Sequence, residues 1–338
     1  VYVANVGMFE YSYIKSLDKK RLNETASKFP TSAYGSKEMK EGVKNDSIEF
    51  AGLGDPNAPE SFSVWGIDVS NEIPAVTSKV KTGVLVGEEI DGISAVGGSS
   101  PNSMVATDQF VYVSNGSNDN LSVIDAQKNK VVESIELKLD KRLKNLKGII
   151  PFGLAISPDQ KRLYVAEAGI NAVGVIDLET KKVLAHIPTG WFPSKLKVTP
   201  DGKQLIVSNA KGYGSGPNGG KDFEPPFDHP YASYIGALMR GTVSIIDIPT
   251  DVDLEALTER VVANNFRFKE FTSAESENPI PSYPKAKESP IKYIVFISKE
   301  NRTYDEVFGQ LQNGKGDSSL AHYSKDVSFT NTKKTIKV

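Results

Sequence analysis

The residues best suited to chemistry lie near the end of the chain. Glu300 and Asn301 stand side by side after a nearly continuous apolar run, Ile291 to Ile297. A carboxylate beside an amide offers two hard oxygen donors, the ligand type that suits a divalent metal able to polarise a phosphoryl group and activate a nucleophile. By spacing alone the same pair also reads as a helix cap or a solvated turn. A second group, Tyr213, Asp228, His229 and Tyr231, falls in a Gly/Pro-rich stretch and would line a ligand or access loop. Other chemistries are missing from the composition. With no cysteine, disulfides, thiolate metal sites, iron–sulfur ligation and the C-x-x-C-H haem attachment are excluded. The three histidines, His186, His229 and His322, are too far apart in sequence to make a local metal motif. His186 falls in an outer strand and reads as a surface residue. No phosphate-binding Gly loop, G-x-S-x-G elbow or Rossmann fingerprint occurs.

The elements that must position Glu300 and Asn301 follow from their neighbours. Thr303-Tyr-Asp-Glu306 is a capping box, so a short helix should begin there and end at Gly309. The run Ile291–Ile297 predicts a strand buried on both faces of a parallel sheet. Strand, polar turn and helix would place Glu300 and Asn301 beyond the carboxyl end of a strand, where open α/β sheets bind ligands. Upstream, 272–290 has the Pro/Ser/Glu-rich composition of a linker, preceded by a helical stretch from Asp253 to Asn264.

Most of the chain before that linker is organised by repeats. Val111-Tyr-Val-Ser-Asn115 recurs as Leu163-Tyr-Val-Ala-Glu167 and Leu205-Ile-Val-Ser-Asn209, with Val1 to Asn5 as a further copy. Three copies follow a Pro-led segment at Pro101, Pro151 and Pro193. Each is followed by a strand ending in Asp: Leu121–Asp125, Val173–Asp177 and Val243–Asp247, with Trp65–Asp68 as a looser version. Two fourth strands follow, Lys130–Leu137 and Lys182–Pro188. Four short strands every ~40–50 residues are the arithmetic of a propeller blade, ahead of a two-sheet sandwich. Two insertions, near 6–61 and 211–240, leave from the same turn, between the second and third strands. Equivalent turns of a propeller share one face, so both should cap a funnel or dock a neighbour there. The recurring Asp125, Asp177 and Asp247 read as turn formers, and so do Asn115, Glu167 and Asn209.

Composition limits the partners. Forty Lys plus Arg against 42 Asp plus Glu leave a net charge of -2 over 338 residues, so no basic field favours nucleic acid. No apolar run approaches the ~18 residues of a membrane span. The chain opens on a strand-like run at Val1, which predicts a trimmed start.

Tyr-Val-Ala/Ser-Asn, Ser-Val-Ile-Asp and Pro-Asp-Gly-Lys together resemble the YVTN-repeat β-propeller family. Asn171–Asp177, Thr189–Pro193, Asn209–Asn218 and Gly241–Ile246 look like the last blades of bacterial two-part proteins, in which such a propeller precedes an alkaline-phosphatase-superfamily phosphoesterase domain. Lys299–Gly309, with Asn313–Asp317 behind it, is similar to the opening motif of the phospholipase C/acid phosphatase-like phosphoesterases. The resemblance implies a mainly β fold: blades over 1–271, about four here where the family has seven, then the first strand and helix of an α/β phosphoesterase domain at 291–338. It implies that Glu300 and Asn301 are metal-site residues and that divalent metal ions serve the complete domain. The nucleophile and remaining ligands of that family lie downstream, so the chain alone is expected to be catalytically incomplete. The remaining blades and the catalytic domain would be its partners, a phosphate ester its substrate, and the periplasm or cell exterior its location. Two other readings stand beside it: a non-enzymatic, surface-layer-like propeller that binds or scaffolds, and a redox propeller, disfavoured by the missing Cys and scarce His.

Overall fold

The computed structural model of the chain describes residues 1–7, 37–44, 49–51, 54–90, 92–95, 97–143, 147–214, 235–268, 279–280, 289–295, 303–311 and 318–321. It divides into two units, one of Val1–Gly214 with Met239–Phe266, the other of Ser215–Leu238 with Arg267–Val338.

The first unit is mainly β, with four antiparallel sheets of three or four strands in the manner of propeller blades. Blade 1 takes β1 (Tyr2–Asn5); helix α1 (Lys37–Glu41) and the ribbon of β2 (Gly42–Lys44) and β3 (Glu49–Ala51) follow; β4 (Ser63–Asp68) and β5 (Ala75–Lys81) then complete the sheet. A second ribbon pairs β6 (Glu89–Ile90) with β7 (Ile93–Ser94). Blade 2 comprises β8 (Pro101–Ala106), β9 (Phe110–Asn115), β10 (Asn120–Asp125) and β11 (Lys130–Glu136). Blade 3 comprises β12 (Pro151–Ile156), β13 (Arg162–Glu167), β14 (Ala172–Asp177) and β15 (Lys182–Pro188). Blade 4 has β16 (Trp191–Val198), β17 (Gln204–Gly214) and β18 (Arg240–Asp247); the short helix α2 (Ile235–Leu238), which precedes β18 in the sequence, belongs to the second unit. A 12-residue helix, α3 (Leu254–Asn265), closes the unit and lies against β15.

The strands are apolar in the places where blades meet. Leu163 to Ala166 and Val173 to Ile176 are near-continuous buried runs because both faces of blade 3 are covered. Tyr112, Leu121 and Val123 of blade 2 pack with Leu154, Leu163, Val165 and Ile176 of blade 3. Tyr164, Val173, Val175 and Ile187 of blade 3 pack with Leu196, Leu205 and Val207 of blade 4. Val64 and Val80 meet Val111, Val113 and Ile124 between blades 1 and 2. Each fully buried Leu, Ile or Val contributes about 1.5–3 kcal/mol, so these seams hold the unit together. The outer face of blade 4 is open, and β18 alternates between half-buried and exposed positions.

Turn chemistry repeats with the blades. Asp68, Asp125 and Asp177 accept backbone N–H bonds from Ser70, Lys128 and Thr180 of their own hairpins, at 2.9, 2.8 and 2.7 Å. Those bonds hold all three carboxyls below the usual carboxylate range. At the entry to each inner strand a residue with positive φ precedes proline: Ser100 (52°), Ile150 (53°) and Phe192 (60°). A bulky residue there is strained, and the neighbouring blade holds it. Asp119 accepts from the Ile150 N–H at 2.9 Å, and Asn171 accepts from the Phe192 N–H at 2.8 Å.

Two expectations change. Blade 1 has a fourth-type outer strand, β5, which the repeats did not reveal because its outward residues are polar or exposed. Residues 291–295 form no strand, and Tyr293, Ile294 and Val295 are exposed. A parallel-sheet strand exists only between partner strands, and the described residues of the second unit contain none. The helix expected after it does form, as α4 (Tyr304–Phe308), capped by Thr303 and followed by Gly309. Both long connections leave from the same point of their blades, between β1 and β4 and between β17 and β18.

Candidate functional site

Of the residues singled out from sequence, Glu300, Asn301, Asp228, His229 and Tyr231 lie outside the described residues, as does most of the 272–290 linker. Tyr213 is described, at the end of β17 and 85% exposed. Among the described residues no group of three or more His, Cys, Asp or Glu could hold a metal ion, and no helix is long and apolar enough to cross a membrane.

Blades 2, 3 and 4 instead build a buried polar position at the end of the second strand. In blade 2, Asn115 Nδ2 donates to Asn120 Oδ1 and Ser122 Oγ, both at 2.9 Å. In blade 4, Asn209 Nδ2 donates to Thr242 Oγ1 at 3.2 Å and Ser244 Oγ at 2.8 Å. These asparagines are buried cross-strand clamps rather than turn formers. Blade 3 breaks the pattern three times: Glu167 replaces the asparagine, and Ala172 and Gly174 replace its partners. A Cβ at position 174 would lie 2.5 Å from Glu167 Oε1. Glycine therefore leaves the carboxylate room to pass over β14 and meet His186, which pairs with Gly174 across the sheet.

Glu167 Oε2 lies 2.6 Å from His186 Nδ1, and His186 Nε2 lies 3.2 Å from the Lys138 carbonyl. The side chains are 0% and 2% exposed. A carbonyl only accepts, so Nε2 carries a proton, and the carboxylate at Nδ1 favours the second. Burial works against the imidazolium, but Glu167 and the Lys138 carbonyl outweigh it and raise the His186 pKa above its ordinary value. Glu167 Oε1 is buried without a hydrogen-bond partner. His186 is therefore not a surface residue, because α3 covers the outer strand it sits on. The helix is fastened there by Thr258, whose Oγ1 accepts from the His186 backbone N–H at 3.0 Å, and by Leu254, Val261 and Val262. The one signal in the sequence was the joint change of Asn to Glu and Ser to Gly at equivalent repeat positions. Sealed from solvent, this pair cannot reach a substrate, and its chemistry is to hold a charge and a proton inside blade 3. A cavity of about 220 Å³ lies beyond Lys138, between Leu139, Ile149, Ile170, Asn265 and Phe266. It is smaller than most ligand pockets.

A second polar group lies at the rim of blade 4. Lys211 Nζ sits 4.7 Å from the centre of the Phe192 ring and 5.8 Å from that of Trp191. Trp191 is 52% exposed. This arrangement of a cation with open aromatic surface can bind, and it has no group that could act as acid or base at neutral pH.

Several known proteins match parts of this chain. The family described as Methylamine dehydrogenase heavy chain (MADH), a propeller-type family, matches residues 90–201. That span holds blades 2 and 3 and the first strand of blade 4, and it agrees with the propeller architecture. Antigen Lp49 of Leptospira interrogans serogroup Icterohaemorrhagiae serovar copenhageni (strain Fiocruz L1-130) is 33% identical over 93 residues. The aligned part is 27% of this chain and 17% of that protein. Among solved structures, Kuenenia stuttgartiensis hydrazine synthase aligns at 26% identity and a TM-score of 0.30, covering 33% of this chain and 30% of its own. A functionally unknown protein from Desulfotomaculum acetoxidans DSM 771 aligns at 18% identity and a TM-score of 0.26, covering 44% and 56%.

Proposed function

We propose that this chain is the propeller and first catalytic motif of an exported, metal-dependent phosphoesterase, with the blades serving as the scaffold that governs access to substrate. The observation that carries the reading is the local geometry of the one chemistry-grade motif. In Lys299–Gly309, Thr303 Oγ1 accepts from the Glu306 N–H at 3.3 Å and Glu306 Oε2 accepts from the Thr303 N–H at 2.8 Å. This reciprocal cap starts α4 at Tyr304, three residues after Asn301, so in the sequence Glu300 and Asn301 come just ahead of the cap. Their oxygens suit a hard divalent cation, though two donors are fewer than such an ion takes. In a complete site Glu300 and Asn301 would contribute to holding a metal that polarises the phosphoryl group and activates a nucleophile. The exposed Ile291, Tyr293, Ile294 and Val295 support the same reading, being the kind of segment that a sheet would cover.

The test uses the natural gene product that contains this chain. Hydrolysis of p-nitrophenyl phosphate is expected with added Mg²⁺, Mn²⁺ or Zn²⁺, and Glu300→Gln is expected to lower kcat by roughly 100-fold or more with an unchanged circular dichroism spectrum. Wild-type turnover in that variant, or no hydrolysis by the unmodified protein, would overturn the reading. A binding or scaffolding propeller of the surface-layer kind would then take its place, supported by the two long connections leaving equivalent turns of blades 1 and 4. A redox role, which the name of the matched dehydrogenase subunit suggests, has neither a Cys nor a His cluster in this sequence to support it.

A further inference from the structure

The rim of blade 4 differs from the other blades in ways that the fold does not require. The residue before the inner-strand proline is Ser100 in blade 2 and Ile150 in blade 3, but here it is Phe192, preceded by Trp191. Phe192 is fixed in its left-handed conformation by Asn171. Its ring packs edge-on against Phe152 of blade 3, with centroids 5.9 Å apart. Beside it β17 continues for 11 residues, where the equivalent strands of blades 2 and 3 have six. That continuation needs two glycines with positive φ. A Cβ on Gly212 would lie 2.4 Å from the Arg240 carbonyl oxygen, and one on Gly214 would lie 3.4 Å from Trp191 Cζ3. The extended strand thus rests against the indole on one side and pairs with Arg240 on the other.

Two cations stand on this rim with no carboxylate partner among the described residues, Lys211 and Arg240. Some cations of the unit are paired, as Lys128, Arg142, Arg162 and Lys181 are with Asp125, Asp140, Asp177 and Glu133, and others among the described residues are not; what marks this rim is the pair of aromatic rings beneath Lys211. Fixed aromatic rings with open surface stack on planar or pyranose rings, and unpaired Lys and Arg bind phosphate oxygens. A bare anion would leave the indole unused, and a neutral ring would leave both cations unused. We propose that Trp191, Phe192, Lys211 and Arg240 form a binding site for an organic phosphate whose body is a ring, a nucleotide or a glycosyl phosphate. Its identification as a substrate subsite rests on the phosphoesterase reading; the binding does not.

The sequence contains two tryptophans, Trp65 and Trp191. The full chain carrying Trp65→Phe therefore reports on Trp191 alone, with the unmodified chain titrated in parallel. At low salt and neutral pH, AMP or glucose 1-phosphate is expected to change Trp191 fluorescence saturably. The expected Kd is at least ~10-fold below those of adenosine, glucose and inorganic phosphate. Lys211→Met, which keeps the apolar stem, and Arg240→Ala are each expected to raise that Kd by about 5–50-fold. Response to AMP alone or to glucose 1-phosphate alone identifies the ring. Equal affinity for the organic and inorganic phosphates, or an unchanged Kd in both variants, would overturn the site. Binding here without hydrolysis by the natural gene product would leave the site standing and remove the phosphoesterase reading. Hydrolysis without binding here would do the reverse.

Discussion

A proton held between Glu167 and His186 makes the stability of blade 3 depend on pH. The folded His186 pKa lies above its ordinary value, with burial opposing and the carboxylate prevailing. The contribution is therefore complete below the unfolded pKa of about 6.5 and is lost as pH rises through the folded value. Glu167→Gln removes the charge that raises this pKa and leaves a buried imidazole that must give up its second proton. The variant is expected to be destabilised on the order of 3 kcal/mol at pH 6 and by less at pH 9, as read from thermal unfolding followed by circular dichroism. An equal or larger loss at pH 9 would show that the pair does not hold the proton. At this scale little was legible from sequence. Glu167 looks like a turn residue and His186 like a surface residue, since nothing local records that Gly174 opens a path between them.

At the scale of elements, the joints between blades are made by short polar turns. Asn171, itself at φ 54°, accepts the Phe192 N–H and so ties the blade 3 hairpin to the first strand of blade 4. Asn171→Ala removes that acceptor and places an alanine in the left-handed region. A loss of about 1–3 kcal/mol is expected from urea unfolding, together with weaker binding at the Trp191 rim. A change in neither would mean that the Phe192 conformation is held by its proline alone. The strands and their order were largely legible, because Tyr-Val-Ser-Asn and Ser-Val-Ile-Asp recur at constant spacing. β5 was not, since Ala75–Lys81 turns mostly exposed residues outward and carries no repeat signature. Residues 291–295 read as a strand by composition, but pairing is a relation between segments, and no described segment pairs with them.

For the molecule as a whole, stability comes from the seams between sheets rather than from any one sheet. Leu163 is fully buried and belongs to the seam of blades 2 and 3, which also takes in Val261 and Val262 of α3. Leu163→Ala is expected to cost about 2–5 kcal/mol and to lower the unfolding midpoint of the first unit. A separate, earlier transition for blade 2 in the wild-type chain would show instead that the blades unfold independently of their seams.

The sequence by itself determined most of the blade strands, β5 excepted, how they group into blades, where the two insertions leave the scaffold and where the capped helix α4 begins. Each of these depends on residues close together in the chain: a periodic apolar pattern, an Asp that bonds its own hairpin, a Thr and Glu three apart. Only the tertiary structure decided that α3 covers β15, that Glu167 reaches His186 across Gly174, and that Lys211 sits over Trp191 and Phe192. Those contacts join residues distant in sequence, and their energies depend on burial and on the gaps left by particular glycines.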